Sequence, residues 1–490
     1  MNFSEFCMDP NLVGHWYGGA TPDTPDTWDT WRVVHKAIGG EPLNETERIT
    51  YKELTGREDV PTEPPKEVFL IFGRRAGKDV TAAALVVYLA TVGAEIYNFR
   101  SHLTRGERGV VQLLAVDRTQ AKVCLGYVRA MLEQPILARL VLKDTADGIE
   151  LANGLAIEIA TSDRRRVRGR TVVAAVLDEL AFWSSENSVN PDEEVYAAIR
   201  PSMATIPNAL LIGISSPHAR KGLLYRKWKK HYGQPGSVLV MQAPTWVMNP
   251  TLPRDGEFLS QAFEDDPASA AAEYGAEFRT DIEAFVTREV VEACVTSGAR
   301  ERPRVSNASY RAFVDPSGGS NDSMTLAIAH PDGNKAVLDA IRERKPPFSP
   351  ESVVEEFCTL LKSYGISEVT GDRYAGEWPR ERFRAHGIAY RLAEKPRSDL
   401  YRDMLPVLNS GKADLLDNDR MVNQLVGLER RVARGGRESI DHAPNGHDDI
   451  ANAVAGAISL CAKKAEQPMA VFGTYGRMDK NPFHRAYRSQ

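Results

Sequence analysis

The sequence predicts an α/β protein with two successive sheets, the first mainly parallel and the second mixed. From residue 67 to about residue 280, apolar strand patterns alternate with helical patterns, which favours a parallel sheet. From residue 310, three strand patterns are separated by glycine-containing turns, which favours an antiparallel beginning of the second sheet. The first strand also runs directly into a glycine-rich loop and a helix. We therefore expect at least two α/β domains.

The glycine-rich loop lies within EVFLIFGRRAGKDVTAAALVVYLA, residues 67–90. A buried strand before it and an Ala-rich helix after it are typical of a loop that binds phosphate groups. Phe72 and Asp79 depart from the usual G-x-x-x-x-G-K-[ST] pattern, so a basic strand-to-helix turn is the alternative. The residues predicted to contact nucleotide phosphates are Gly73, Arg74, Arg75, Ala76, Gly77, Lys78 and Asp79.

Length and composition narrow the classes of protein. The 490 residues suggest roughly two to four domains, and a net charge of −5 gives no global sign of nucleic-acid binding. Local basic patches can still contact a DNA backbone. The five scattered cysteines include no C-x-x-C pair, which argues against disulfides and a zinc site. With no signal-peptide pattern and no apolar run of about 20 residues, the sequence predicts a soluble intracellular protein.

Residues 1–65 are predicted to form a helical lead-in or lid that ends at the prolines of PTEPP. Trp28 and Trp31 lie three positions apart and would share one helix face. Stacking on an adenine base is one role for them, and ordinary packing is the more common one.

Two later strand ends carry polar residues that suit a nucleotide site. The strand pattern TVVAAVL ends in Asp178 and Glu179, and ALLIGIS ends in Ser215 and Ser216. Ligands of α/β sheets bind at the carboxyl ends of the strands. Asp178 is suited to hold Mg²⁺, Glu179 to orient and deprotonate a water, and the serines to sense a γ-phosphate. A solvated acidic turn and a Ser-Pro turn are the alternatives.

Basic residues cluster on either side of these strand ends. They are candidates for contact with a phosphate backbone or for stabilising charge during phosphoryl transfer, and a solvated surface is the alternative. The first cluster comprises Arg164, Arg165, Arg166, Arg168 and Arg170, and the second comprises Arg220, Lys221, Arg226, Lys227, Lys229 and Lys230.

In the C-terminal part, aspartates stand at the ends of predicted strands and at the start of a helix. Asp315 ends the strand 310–315, Asp372 ends a short strand, and Asp448 and Asp449 begin an Ala-rich helix. Three converging carboxylates could hold two Mg²⁺ or Mn²⁺ ions about 3.5–4 Å apart and so support hydrolysis of a phosphodiester. The alternative for Asp448 and Asp449 is stabilisation of the helix dipole.

With both groups of motifs in view, the chain resembles the large terminase subunit of tailed bacteriophages, a DNA-packaging motor, over roughly residues 65–465. The motifs in order are GRRAGKD (73–79), VVAAVLDE (172–179), LLIGISSP (210–217), FVDPSGGSNDS (313–323), VTGDRYAG (369–376) and GHDDIANAVAGA (446–457). Each motif is moderately specific, and the ordered set is highly specific. Asp79 departs from the family, which usually has Ser or Thr at that position.

The resemblance implies a RecA/ASCE-like P-loop ATPase domain and an RNase H-like nuclease domain. It implies that Lys78 and its loop bind ATP, that Asp178 serves Mg²⁺, and that Glu179 is catalytic. Ser215 and Ser216 would couple hydrolysis to movement. The implied ligands of two Mg²⁺ or Mn²⁺ ions in the nuclease are Asp315, Asp372 and one of Asp448 or Asp449, with Asp449 preferred and His447 as an accessory.

The expected organisation is a lead-in at 1–65, an ATPase domain at 66–280, a linker at 281–305, a nuclease domain at 306–465 and a flexible tail at 466–490. The resemblance implies double-stranded DNA, a portal protein, a small terminase subunit and copies of the chain itself, in a pentameric ring, as partners. Work in the host cytoplasm, away from membranes, is implied as well. A cellular helicase-nuclease of DNA repair and a DNA-binding protein with an ATP switch are the alternatives. The arginine that completes the ATP site stays open among Arg74, Arg75 and Arg200.

Overall fold

The computed structural model describes residues 1–18, 26–161, 169–183, 191–320, 322–372, 378–432, 438–444 and 446–465. The chain divides into two compact units. The first comprises Met1–Ala293, Arg397–Arg402 and Asn418–Ala451, and the second comprises Cys294–Pro396, Asp403–Asp417 and the residues from 452 onward. The expected tail at 466–490 and the arginines 164–168 lie outside the described residues.

The elements are numbered along the chain. The strands are β1 (Glu67–Phe72), β2 (Gly109–Ala115), β3 (Val141–Thr145), β4 (Gly148–Leu151), β5 (Leu155–Thr161), β6 (Thr171–Asp178), β7 (Leu210–Ser215), β8 (Val238–Ala243), β9 (Ile282–Ala284), β10 (Arg311–Asp315), β11 (Met324–Asp332), β12 (Lys335–Arg344), β13 (Glu368–Gly371), β14 (Ala389–Leu392), β15 (Ala413–Asp414), β16 (Leu428–Val432) and β17 (Glu438–His442). The helices are α1 (Phe3–Met8), α2 (Asp29–Gly39), α3 (Glu45–Thr55), α4 (Lys78–Ala90), α5 (Val92–Ile96), α6 (Arg118–Leu132), α7 (Pro135–Ala138), α8 (Pro191–Met203), α9 (Gly222–His231), α10 (Thr245–Met248), α11 (Glu257–Asp265), α12 (Pro267–Glu273), α13 (Arg288–Glu292), α14 (Pro350–Ser363), α15 (Trp378–Ala385), α16 (Arg397–Asn409), α17 (Asp419–Val426) and α18 (Asp449–Ala465).

The large sheet of the first unit has the strand order β3-β4-β5-β2-β6-β7-β1-β8. The six strands from β5 to β8 in this order pair in parallel, and β3-β4-β5 pair antiparallel at one edge. The predicted, mainly parallel sheet is thus confirmed. β4 and β5 form an antiparallel hairpin around Asn153 and Gly154.

Both faces of this sheet are covered, which explains the unbroken apolar run of β1. Val68, Leu70 and Phe72 pack in a core that contains α4 and the N-terminal helices, whereas Phe69 and Ile71 pack in a core with α8 and α9. Alternate residues of a strand point to opposite faces of the sheet. When both faces are buried, successive residues are therefore apolar. The N-terminal helices are therefore part of the packed body of this unit.

A second, smaller sheet in the first unit joins distant parts of the chain. Its order is β17-β16-β9, with antiparallel pairing throughout. Residues 281–305, which we expected to be a linker, contain β9 and α13. Residues 397–402 and 418–451 belong to the first unit, although the sequence pattern groups them with the nuclease motifs.

The second unit is built on a six-stranded sheet of order β14-β13-β10-β11-β12-β15. β10, β11 and β12 form the antiparallel beginning that the turns predicted, and β13 and β14 run parallel to β10 on its other side. Numbered from β10, this is the 3-2-1-4-5 order of the RNase H-like fold. α14 packs on the sheet through Val353, Val354 and Phe357. The predicted mixed-sheet, RNase H-like domain is confirmed as a fold.

All five cysteines are buried and free. Among the described residues, no helix combines the length and the apolar character that crossing a lipid bilayer would require.

Candidate functional site

The loop between β1 and α4 is held by side chains that engage its carbonyl oxygens. Lys78 Nζ donates to the carbonyls of Phe72 and Gly73, both at 3.1 Å. The next three carbonyls, of residues 74, 75 and 76, accept from Thr245 Oγ1 at 2.8 Å, Asn249 Nδ2 at 3.0 Å and Trp31 Nε1 at 2.7 Å. Because the C=O and N–H of a trans peptide point in opposite directions, a loop whose carbonyls are held this way can present its N–H groups to an anion.

The two glycines of the loop are required by close packing. A Cβ on Gly73 would lie 2.3 Å from Thr245 Oγ1, and a Cβ on Gly77 would lie 3.0 Å from the Trp28 ring. Gly77 also has φ of 91°, in the left-handed region. Trp31 is fully buried. The tryptophans therefore pack against the loop, which is the packing role that we weighed against adenine stacking.

Replacing Trp31 by Phe is expected to weaken ATP binding more than ATP turnover. The change keeps most of the buried ring but removes the hydrogen bond to the Ala76 carbonyl, which is worth about 1 kcal/mol. We expect the KM for ATP to rise about fivefold with kcat within twofold, measured by steady-state phosphate release. Trp16→Phe is the matched control. A KM equal to that of the wild type would show that Trp31 does not position the loop.

The other predicted nucleotide-site residues converge on Lys78. Its Nζ donates to Ser216 Oγ at 3.0 Å and lies 4.0 Å from Glu179 Oε1. Ser215 Oγ donates to Glu179 Oε2 at 3.2 Å. The strand order explains this convergence, because β6, β7 and β1 are neighbours and all end at the same edge. The structure thus brings together residues that lie more than a hundred positions apart in the sequence.

Asp178 is the buried carboxylate of this group, with 4% exposure. Burial, followed by the charges of Glu179 and Asp79, raises the pKa of Asp178 to about 7. Its Oδ1 has no hydrogen-bond partner among the residues that the structure describes. A buried carboxylate oxygen without a donor costs free energy unless a proton or a cation compensates it. The buried carboxylate of Asp178 therefore fits a divalent cation. Asp79, the other carboxylate near this site, is exposed.

Glu179 has an unusual backbone for a non-glycine residue, with φ of 48° and ψ of 43°. This left-handed conformation costs about 1–2 kcal/mol and is found preferentially at functional sites. It places Glu179 between β6 and the short turn Leu180–Phe182, whose Ala181 N–H donates to Ser215 Oγ at 3.2 Å. The strain is consistent with a carboxylate that is positioned for chemistry.

The three arginines considered for the ATP site lie in different places. Arg74 pairs with Glu273 at 2.9 Å, and Arg75 is exposed with φ of 65°. Arg200 bonds to Glu67 at 3.1 Å, at the start of β1. The loop follows the other end of this six-residue strand, about 20 Å away, so Arg200 cannot complete the site of its own subunit.

Three of the six basic residues after β7 form ion pairs. Lys227 and Arg226 form ion pairs with Glu67 and Glu193, and Lys221 pairs with Glu429. Of the first basic cluster, Arg170 pairs with Glu158 at 2.5 Å. These pairs reduce the positive charge that is available to a DNA backbone.

Glu429 on β16, in the small sheet, contacts His218 and Lys221 in the segment that follows Ser215 and Ser216. The carboxylate is fully buried and lies 2.8 Å from Lys221 Nζ, 3.5 Å from His218 Nε2 and 3.2 Å from the Arg431 guanidinium. Although burial opposes the charged form, the contacts with His218 and Lys221 hold the pKa of Glu429 at about 2. No sequence motif marks this contact, because Glu429 stands in an ordinary charged strand.

Glu429→Gln is expected to lower thermal stability at neutral pH. A pKa of about 2 instead of 4.5 corresponds to about 3 kcal/mol, which is present above pH 4.5 and is lost as the pH falls toward 2. The difference in Tm between wild type and variant should therefore narrow below pH 4.5, as measured by scanning fluorimetry. Glu283→Gln, on the neighbouring strand β9, is the control. A pH-independent difference would contradict this origin of the stability.

In the second unit, Asp315 and Asp372 lie side by side at the ends of parallel strands. Val314 pairs with Gly371, and the Asp372 N–H donates to the Val314 carbonyl at 3.3 Å. Asn452 Nδ2 donates to Asp315 Oδ2 at 2.9 Å and to Asp372 Oδ2 at 3.4 Å. One nitrogen atom thus reaches both carboxylates, so their oxygens converge closely enough to fit a shared cation.

Close packing of α18 on β10 brings Asn452 to these carboxylates. A Cβ on Gly456 would lie 2.2 Å from the Phe313 ring, so only glycine permits this approach. Gly456 is one helical turn after Asn452, and Phe313 is two residues before Asp315, so each pair lies on one face of its element. On the other side, the hydroxyl of Tyr390 donates to the Asp372 carbonyl at 3.3 Å.

Asp448 and Asp449 belong to the first unit, so their role beside Asp315 and Asp372 stays a prediction. Asp448 accepts from Arg397 at 2.8 Å and from Tyr401 at 2.7 Å. It also lies near Asp441 and His442, with ligand atoms within 4.8 Å of one another. Because Arg397 donates to Asp441 as well, a guanidinium already supplies positive charge there. His447 is exposed and Asp449 is buried.

Sequence reasoning missed Asn452, Thr245 and Asn249. Asn452 stands in the quoted motif GHDDIANAVAGA, where its position one turn after the aspartates was an available signal. Thr245 and Asn249 lie far from the loop in sequence and in no recognisable motif, so only the fold reveals them.

Comparisons with known proteins give one family model and several solved structures. A family model described as "Uncharacterized protein MJ0330, N-terminal P-loop domain" matches residues 39–276. No curated protein matches the sequence. The crystal structure of the HK97 bacteriophage large terminase has 15% identity, covers 94% of this chain and 99% of its own, and gives a TM-score of 0.39.

Two single-domain structures are similar to parts of the chain. The large terminase ATPase domain of Thermus phage P74-26 has 17% identity, covers 50% of this chain and 98% of its own, with a TM-score of 0.34. The large terminase nuclease from thermophilic phage G20c with bound magnesium has 16% identity. The match covers 36% of this chain and 98% of the nuclease chain, with a TM-score of 0.32. The family model therefore gives the chain an N-terminal P-loop domain. The three solved structures are a phage large terminase and two domains of such proteins, the family that the sequence motifs resemble.

Proposed function

We propose that this chain is the large terminase subunit of a viral DNA-packaging motor. ATP hydrolysis would drive duplex DNA into a procapsid, and the nuclease would cut concatemeric DNA. The observation that carries the proposal is the presence in one chain of two sites for phosphate chemistry. One is a P-loop with an adjacent Asp178–Glu179 pair, and the other is a carboxylate pair, Asp315 and Asp372, on an RNase H-like sheet.

In the ATPase site, the loop N–H groups and Lys78 would bind the phosphates of ATP. Asp178, helped by Asp79 through water, would hold the Mg²⁺ that neutralises phosphate charge. Glu179 would orient the attacking water and accept its proton. Ser215 and Ser216 bond to Glu179 and Lys78, so a change at the γ-phosphate would alter the end of β7.

In the nuclease site, Asp315, Asp372 and Asp449 are the proposed ligands of two Mg²⁺ or Mn²⁺ ions, with Asp448 as the alternative third ligand. Converging carboxylates suit hard divalent cations, which prefer oxygen ligands. Such ions supply an activated water and stabilise the leaving oxygen of a phosphodiester. The protein's own contribution is to hold Asp315 and Asp372 at the ends of two neighbouring strands.

The proposed partners are double-stranded DNA, the portal protein, a small terminase subunit and further copies of this chain in a pentameric ring, acting in the host cytoplasm. We assign the ATPase function to residues 66–280 and the nuclease function to 306–465. Residues 397–402 and 418–451 fall within the range proposed for the nuclease, but they pack with the first unit, which contains the ATPase residues.

The full chain should hydrolyse ATP faster when linear duplex DNA is present and should linearise supercoiled plasmid with Mn²⁺ or Mg²⁺ but not with EDTA. The full chain is needed because a C-terminal fragment would leave β16 without its partner β9. Strand separation of a labelled duplex would instead indicate the helicase-nuclease. ATP binding without turnover or cutting would indicate the ATP switch, and either result would overturn the proposal.

A further inference from the structure

We infer that Asn452 is a reversible ligand of the nuclease cation site, donating to the carboxylates when no cation is bound and coordinating through Oδ1 when one is. The inference deepens the proposed nuclease function and rests on it. Asn452 lies in the second unit together with Asp315 and Asp372, and its side chain is 1% exposed.

The orientation of the amide in the cation-free chain follows from charge. Its Nδ2 lies 2.9 Å from Asp315 Oδ2 and 3.4 Å from Asp372 Oδ2. A carbonyl oxygen in that place would face two carboxylates and be repelled, so the NH₂ group takes it. The amide therefore compensates part of the charge of two acids that are only half-buried.

At the other end of the amide, no described hydrogen bond opposes rotation about the terminal side-chain bond of Asn452. Asn452 Oδ1 is buried and has no hydrogen-bond partner among the residues that the structure describes. A half-turn about the terminal side-chain bond would therefore break no hydrogen bond at Oδ1, and it would direct Oδ1 to the point that Nδ2 now occupies. Side-chain carbonyl oxygens are ordinary ligands of hard divalent cations. A buried acceptor without a donor costs free energy, and coordination would satisfy Oδ1. The NH₂ group would give up its two hydrogen bonds to the carboxylates, whose charge the cation would then compensate.

Two substitutions at Asn452 distinguish a residue that coordinates the cation from one that only holds the carboxylates in place. Asn452→Leu keeps the volume but removes both donor and acceptor, so it should weaken cation binding. Asn452→Asp keeps the acceptors but loses the donor. If Asn452 were only a donor that holds the two carboxylates in place, both variants would weaken binding alike. If it is a ligand, the Asp variant should bind the cation at least as tightly as the wild type.

The test is calorimetric titration of Mn²⁺ into the full-length chain carrying Asp178→Asn, which silences the ATP site, without nucleotide. We expect the Kd to rise at least about tenfold for Asn452→Leu and to stay equal or fall for Asn452→Asp. We also expect Mn²⁺ to raise the Tm of Asn452→Asp more than that of the parent, because its cation-free state has three carboxylates together. Circular dichroism checks that each variant is folded, and if the Leu variant is not, the Asp variant decides.

A Kd for Asn452→Leu within twofold of the parent, or an Asp variant weakened as much as the Leu variant, would overturn the inference. A parent chain that binds no Mn²⁺ in the nuclease unit, with an isotherm unchanged by Asp315→Asn, would instead refute the proposed nuclease site itself. The two failures are therefore distinguishable.

Discussion

Glu179→Gln is expected to reduce ATP turnover by about 10²–10⁴-fold while leaving ATP binding intact. The carboxylate lies 4.0 Å from Lys78 Nζ and accepts from Ser215 Oγ at 3.2 Å, at the strand edge where the γ-phosphate would lie. Glutamine keeps the volume and can accept the serine hydrogen bond, but it cannot accept a proton from water. Phosphate release and the equilibrium binding of a fluorescent ATP analogue would be measured on the same preparation.

The control for this prediction is Glu150→Gln, which changes a glutamate of the same sheet whose side chain is 41% exposed and pairs with Arg108. Its turnover should match that of the wild type. Undiminished turnover in Glu179→Gln would remove the catalytic role from Glu179, and loss of ATP binding would point to a structural role of the strained turn instead.

Asp315→Asn is expected to lower DNA cutting by at least about 100-fold without changing ATP hydrolysis. Asparagine keeps the size of the side chain at the end of β10, but it removes one of the two negative charges that converge on Asn452 Nδ2. The loss of charge weakens binding of the cations that phosphodiester cleavage needs. Conversion of supercoiled plasmid to linear DNA in Mn²⁺, with ATP hydrolysis measured in parallel, gives both readouts.

Asp332→Asn is the matched control, because Asp332 is the exposed last residue of β11, next to the turn into β12. Cutting by this variant should equal that of the wild type. Equal cutting by Asp315→Asn would mean that the DNA is cleaved elsewhere, or by a contaminant, and the nuclease assignment would fail. A parallel loss of ATP hydrolysis would mean that the substitution disturbs the whole chain.

The sequence alone predicted the two folds and most residues of the two candidate sites, because the relevant signals are local. An apolar run that stops at Gly73, followed by Lys78 and an Ala-rich segment, predicts a strand, a phosphate loop and a helix within about 24 residues. The strand ends at Asp178, Ser215, Asp315 and Asp372 could be placed from apolar runs and turns, since polar residues directly after a buried strand lie at the sheet edge.

Only the tertiary structure decided which distant residues complete these sites. Trp31, Thr245 and Asn249 hold the carbonyls of the phosphate loop, and Asn452 bridges two carboxylates. Each of these contacts joins positions that are 45 or more residues apart, and hydrogen-bonding side chains carry no local pattern that names a remote partner. Likewise, β9, β16 and β17 form one sheet because their chain segments meet in space. Local periodicity determines elements and their polar ends, whereas the choice of partners depends on packing of the whole chain.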